Sequence, residues 1–485
     1  MPESVHLSDT KRKLLEKYLR GEIMRAATDS DDVARRSLGE PVPLSLAQEQ
    51  VWRRAQETRG MPPLYNESIT IHRTGSLDLE ALQRGFAEII RRHESWRTTF
   101  DTFAGGPVQV IQREVSAVSL PVMDLRRLPE AKRVEEALRI ATEDARRPFD
   151  LKHGPLVRAK LVQLGNQEHR LFLTMHQLIV DGISVFELLP LELTSLYEAF
   201  AAGKPSPLPE LPFQFGDFAR WQRHWLQGAV LANQLGFWRK QLAGELPVLR
   251  WPNDRSRPAL QTFRGAIKPF TMPKLLTEAL RKLSRQEGVS LFAVLLAGFS
   301  VLLRCYSGQD DIIVGTLAPA GRKRSEFQRL LGYFLNPVPL RSDLSGNPTF
   351  SELLRRVQRV AYGALSNDDV PLEHLARDLG IEPDPRCHPF FQVVISLAPA
   401  VPPLSSGWDV TPMDVESGGA RWDLYLELND RPTGMIVRAQ YNPDLFEFST
   451  IDKLLEDLQA LLEVASSQPY LHLSQLPFQQ QRSPY

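Results

Sequence analysis

Residues 156–182 constrain the fold more tightly than any other stretch of the chain. Leu156 to Leu164 is rich in apolar and β-branched residues, Gly165-Asn166 supplies a turn, and His169 to His176 encloses Arg-Leu-Phe-Leu-Thr-Met. Two such runs joined by a turn read as a β-hairpin. Asp181-Gly182 then ends the strand pattern, and Ser184 followed three residues later by Glu187 has the spacing of a helix capping box. The expected helix carries Phe186, Leu189, Leu193, Leu196 and Tyr197 toward a core, and Pro190 kinks it because its ring removes a backbone donor. A strand-to-helix transition should therefore present His176-Gln177-Leu178-Ile179-Val180-Asp181-Gly182 beside the positive end of a helix.

Strand-like and helix-like periodicities alternate along the rest of the chain and predict an α/β fold in two units. Residues 43–210 form the first, which ends at Gly203-Lys204-Pro205-Ser206-Pro207-Leu208-Pro209, where prolines and glycine disfavour helix and sheet alike. In the second, helices are expected near 274–286, 290–306 and 351–366, and strands near 311–317, 391–397 and 434–441. A last helix, about 449–466, lines up Ile451, Leu454, Leu455, Leu458 and Leu462. Ahead of both units, residues 9–26 place Leu14, Leu15, Tyr18, Leu19 and Ile23 on one stripe of an amphipathic helix. Asp29 to Gly39 is polar and reads as a mobile linker.

Composition excludes several function classes. Lys plus Arg equals Asp plus Glu at 58 each, so no global basic field points to nucleic acid or an anionic membrane. With 485 residues and 42% hydrophobic content, the chain can bury more than one core. The two cysteines, Cys305 and Cys387, are expected to be reduced thiols of a cytoplasmic protein. Met1-Pro2-Glu3-Ser4 lacks the order of a signal peptide, and no apolar run reaches spanning length.

Taken alone, Arg91-Arg92-His93-Glu94-Ser95-Trp96-Arg97-Thr98-Thr99-Phe100 is the basic, solvated end of a helix whose apolar face includes Leu82, Phe86, Ile89 and Ile90. Together with the His176 loop it resembles the Arg-His-Glu motif of nonribosomal peptide synthetase condensation domains. The resemblance continues in order. Ser45-Leu46-Ala47-Gln48-Glu49-Gln50-Val51-Trp52 is similar to that family's opening motif, and Phe215-Gly216-Asp217-Phe218-Ala219-Arg220-Trp221 to its fourth. Leu331-Gly332-Tyr333-Phe334-Leu335-Asn336-Pro337 resembles the fifth. Asn367-Asp368-Asp369-Val370-Pro371-Leu372-Glu373 and His388-Pro389-Phe390-Phe391-Gln392-Val393 resemble the last two.

The resemblance spans roughly residues 43–475 and implies two chloramphenicol-acetyltransferase-like lobes in a V arrangement around a central substrate tunnel. The lobes would be 43–210 and 211–475, preceded by a possible docking element in 1–38 and followed, from 476 to 485, by a linker toward an adenylation domain. It implies amide formation between a thioester donor and an amine acceptor, each delivered by a carrier protein on a phosphopantetheine arm. No intrinsic cofactor and no metal is expected. Residues 9–26 read either as a docking element for an upstream synthetase, since the initial methionine and helix look like a true beginning, or as a helix packed on the first lobe.

The family signature has two adjacent histidines, three variable residues and Asp-Gly; here Gln177 stands at the second histidine. The resemblance assigns the functional imidazole to position 177 and a more architectural role to His176. It makes Asp181 a structural ion-pair partner of Arg97 or Arg322, and gives Gly182 close packing. Ser184 reads first as the helix cap. A neutral amide is no base near pH 7, although it can orient an amine. Gln177 therefore marks a disabling substitution, a naturally inactive domain, or a residue that positions the amine. The intact remainder of the signature favours the first. His176 argues against cyclodehydrating relatives, which carry aspartate there, and the opening motifs favour condensation over epimerization. Ester formation and a noncatalytic, carrier-binding or recruitment platform remain the alternatives.

Overall fold

The hairpin forms as its pattern dictates. In the computed structural model, which describes residues 33–36, 41–113, 119–251, 253–382, 384–398, 402–412 and 414–476, these residues form fourteen strands. They are β1 (Val42–Pro43), β2 (Asn66–Thr74), β3 (Thr98–Phe103), β4 (Gly106–Ile111), β5 (Val122–Asp124), β6 (Val157–Gly165) and β7 (Glu168–His176) in the first half. The second half adds β8 (Ala266–Pro273), β9 (Asp311–Ala318), β10 (Asn336–Asp343), β11 (Val393–Ala398), β12 (Trp408–Pro412), β13 (Leu424–Arg431) and β14 (Gly434–Tyr441). The expected hairpin is the antiparallel pair β6–β7, with a register irregularity between Gln163 and Gly165.

Two larger sheets carry the architecture. One has the order β12-β2-β7-β6-β5, and the other β10-β9-β11-β13-β14-β8. A third, of three strands, runs β1-β4-β3. Strand alternation sorts the first sheet: Ile69 and Ile71 on β2 and Leu171, Leu173 and Met175 on β7 share one buried core with the helices Leu79–Arg92 and Leu189–Ala201. In the second sheet, Leu424, Leu426 and Leu428 are fully buried in the larger core, together with the helices Leu291–Ser307 and Phe448–Ser467.

The helix Leu291–Ser307 is buried at every position from Phe292 to Leu303, which explains a run that is apolar apart from Ser300. Ser290 caps its start by accepting from the Ala293 amide, and Gly308 ends it at φ 69°. Among the described residues no single helix is long and apolar enough to cross a membrane. The helices Lys274–Glu287 and Phe350–Ser366 also lie where the periodicity puts them.

Two expectations change. The break near residue 210 does not separate the halves cleanly, because β12 from the second half joins the first sheet beside β2. The polar segment before residue 40 is not all free linker. The Arg36 backbone amide donates to Asp217 Oδ1 at 2.9 Å, its guanidinium pairs with Glu94 at 2.6 Å, and Val33 packs on the Phe215–Phe334 aromatic cluster. Residues 9–26 lie outside the described residues.

Candidate active site

β7 ends at His176, and alternation sends His176 and Gln177 to opposite faces of the sheet. His176 is 6% exposed, between Tyr65 and Phe149 with ring centroids 6.1 Å from each. Its Nδ1 accepts from the Leu178 amide at 3.2 Å. Burial, aided by the Arg158 charge, pushes its pKa down to about 3, so the ring is neutral at physiological pH. It braces the turn.

Gln177 is 4% exposed on the other face. Its backbone amide donates to Tyr65 O at 2.8 Å. Its side-chain Nε2 donates to Glu67 Oε1, and its Oε1 accepts from Arg421 Nη1 at 2.9 Å. The amide thus meets a carboxylate with its donor and a guanidinium with its acceptor. Arg421 also lies over the Tyr65 ring at 5.5 Å and the Trp422 ring at 4.5 Å. Burial pushes the Tyr333 hydroxyl up, and it raises Glu427 to about 7, where Arg438 opposes the rise and the Glu67 charge adds to it.

Leu178, Ile179 and Val180 are fully buried and anchor the loop. Asp181 is held by Arg322 through two hydrogen bonds, Nη2 to Oδ1 at 2.8 Å and Nε to Oδ2 at 3.0 Å. The same carboxylate accepts from the Ser184 amide at 2.8 Å and the Phe334 amide at 3.2 Å. Arg322 donates further to Gln328 O, Leu330 O and Ser184 Oγ. A buried pair is retained at low cost only when its remaining donors and acceptors are satisfied, as these are.

Arg97 is not the partner. Its Nη1 donates to Gln112 O at 2.8 Å, and its nearest carboxylate is Glu94 at 3.8 Å. Ser184 is not a cap either. Asp181 satisfies the amide of Ser184, whose hydroxyl instead accepts from the Gly332 amide and donates to Gly332 O, both at 3.1 Å. A π turn, Ser184–Leu188, directly precedes the helix that starts at Leu189, so the irregularity expected at Pro190 falls before the proline. The close packing expected at Gly182 belongs to Gly332. A Cβ on Gly182 would meet Phe186 at an ordinary 3.8 Å, whereas one on Gly332 would lie 2.1 Å from Phe215.

Five of the remaining motifs join this loop, directly or through one another. Gln48 donates to Leu178 O at 2.8 Å while capping the helix that follows Ser45. His93 accepts from the Leu331 amide at 3.2 Å and contacts Glu192 at 2.8 Å. Phe215 packs edge-on and Phe218 tilted against Phe334, with centroids 4.9 and 4.7 Å away. Asn336 donates to Asp368 O and Val370 O. Stretches far apart in sequence thus form one hydrogen-bonded and aromatic frame. Among the described residues no group of three or more histidines, cysteines or carboxylates could hold a metal ion.

A family model described as Condensation domain matches residues 40–483. The chain belongs to the condensation-domain family. This condensation domain is 41% identical over 442 residues to a linear gramicidin synthase polypeptide of Brevibacillus parabrevis, a match covering 90% of the chain and 6% of that synthase. The domain therefore spans a small fraction of the relative's length. The first condensation domain of the calcium-dependent antibiotic synthetase, solved with a substrate analogue, shares its fold at TM-score 0.77 and 20% identity, covering 90% of this chain and all of that one. The X-domain solved with OxyB from teicoplanin biosynthesis superposes at TM-score 0.77 and 26% identity, covering 94% and 99% of the two chains. Within the condensation-domain site, sequence reasoning missed Glu67 and Arg421. Glu67 carried a usable signal, since it shares a strand face with Ile69 and Ile71, where a carboxylate is out of place unless it has work. Arg421 carried none.

Proposed function

We propose that this domain joins a donor acyl or peptidyl group, held as a thioester, to a carrier-bound aminoacyl amine, releasing the donor arm as a thiol. The observation that carries this reading is the loop clamp: Asp181, Arg322, Ser184 and Gly332 fix residue 177 where both halves of the chain meet. Substrates arrive on phosphopantetheine arms of two carrier proteins. An adenylation domain and an upstream synthetase are the further partners, the latter through residues 9–26. The clamp provides positioning, which accounts for much of the rate when a tethered amine is held in line with a thioester. Gln177 lowers the rate because its amide cannot take the proton that an imidazole takes at that place. Its simultaneous match to Glu67 and Arg421 nevertheless favours a glutamine that positions the amine over one introduced to disable the site.

Isotope-edited NMR titration with donor-loaded and acceptor-loaded carriers tests this. Two separate sets of shifted resonances are expected, even at weak affinity. Absence of any shift with both correctly paired carriers would overturn the reading. A second reading, a platform that recruits a tailoring enzyme without chemistry of its own, is favoured by the likeness to the X-domain solved with OxyB. It predicts carrier binding with no amide formed.

A further inference from the structure

Glu67 is the first carboxylate met from position 177, and it stands on a face otherwise given to Ile69, Ile71 and the apolar side of β7. Gln177 Nε2 occupies its Oε1; its Oε2 has no partner among the described residues. A carboxylate with one oxygen tied to an amide and the other open is oriented and still able to accept a proton. The charged and titratable groups around it are Arg421 on the far side of Gln177, Glu427 paired with Arg438 at 3.6 Å, and the phenols Tyr333 and Tyr425. Burial pushes both phenols up, so they stay protonated, and Glu427 is raised by burial with the Glu67 charge contributing. Among the described residues, Glu67 thus forms no ion pair, and the side chain at position 177 is its hydrogen-bond partner.

We propose that Glu67 is a catalytic base of this domain, taking the acceptor amine's proton at Oε2 while Gln177 holds the carboxylate and the amine in register. The inference rests on the condensation reading above. The amine nitrogen attacks the thioester carbonyl carbon and the C–N bond forms. The C–S bond breaks, and sulfur leaves with its electron pair. The nitrogen's proton passes to Glu67 and then to the departing thiolate. Amine and thioester become amide and thiol, and Glu67 returns to its starting state.

Four forms decide this in single-turnover assays with loaded carriers: the parent, Glu67→Gln, Gln177→His, and the double variant. Glu67→Gln keeps the shape and can still accept from Gln177. It should slow the parent roughly 100-fold, a general-base magnitude, with little change in half-saturation by the acceptor carrier. The acid-side fall of the pH–rate profile should flatten. In the Gln177→His background the same substitution should cost less than tenfold, roughly, because an imidazole is then available as base. Parent-like rate and profile in Glu67→Gln would overturn the proposal. No amide from any of the four forms, with carriers bound, would overturn the condensation reading and this inference with it. Should Glu67→Gln fail to fold, Glu67→Asp decides. A slower rate with the acid-side fall retained supports a base at this position, and an unchanged rate refutes it.

Discussion

Replacing Gln177 with histidine should increase amide formation, and the structure sets the size of the gain. Position 177 is 4% exposed, so an imidazole there would be largely desolvated, which favours its neutral, basic form. Glu67 would accept its N–H and favour protonation, whereas Arg421 would oppose it. Burial and Arg421 thus favour the neutral ring against Glu67, so the imidazole is expected to be mostly neutral, and able to act as a base, at pH 7.5. General acid–base catalysis contributes roughly 100- to 10,000-fold. Glu67 already supplies part of that in the glutamine form, so the lower end applies, about 100-fold or ~3 kcal/mol of barrier. Quenched single-turnover reactions with loaded donor and acceptor carriers, followed by mass spectrometry and repeated across pH, measure it. A glutamine form as fast as the histidine form at every pH would show that position 177 does not limit catalysis.

Arg322→Ala strands the Asp181 carboxylate without a cation and should cost about 3–5 kcal/mol in urea unfolding. Arg322→Lys should recover only part, because one ammonium cannot reproduce the two-point contact. Gly332→Ala forces a methyl into the Phe215 ring and should destabilise by about 1–3 kcal/mol or more, while Gly182→Ala should stay within about 0.5 kcal/mol, both by thermal or urea melts. His176 binds its proton near 6.5 in the unfolded chain and near 3 in the folded one. The unfolded state therefore holds more protons between those values, and stability falls as pH drops through that window by up to about 1.4 kcal/mol per pH unit. His176→Asn should flatten the acid-side slope of unfolding free energy, and an unchanged slope would show that other groups cause it. Deleting residues 1–30, which spares the Arg36 contacts, should weaken transfer from an upstream carrier at limiting concentration without altering the fold; equal transfer would remove the docking role.

What sequence reveals here divides by range. The hairpin and the long helices were legible because periodicity and turn chemistry act over a few residues, and the cores then reward the same pattern. Ser184 shows the limit of local reading. Ser-x-x-Glu has capping-box spacing, but Asp181 lies three residues before Ser184 and reaches its amide first, freeing the hydroxyl for Gly332. Arg97 and Arg322 could not be told apart as partners of Asp181, since 141 residues separate the true pair and only packing joins them. Arg421 comes from a part of the chain 244 residues beyond Gln177. The motifs themselves were informative for a physical reason: Gln48, His93, Ser95, Asp181 and Asn336 each hydrogen-bond to another motif, so the order of these motifs in sequence encodes one frame in space.

Intact-mass analysis of the acceptor carrier after a single turnover reads amide formation by this domain without a coupled assay. With donor acyl carrier, aminoacyl carrier and this domain present, the acceptor carrier should gain the mass of the donor acyl group. The gain should require the domain and proceed faster with histidine at position 177. Carriers that bind at two faces yet show no mass transfer with either glutamine or histidine at position 177 would rule out amide formation here and leave a recruiting platform.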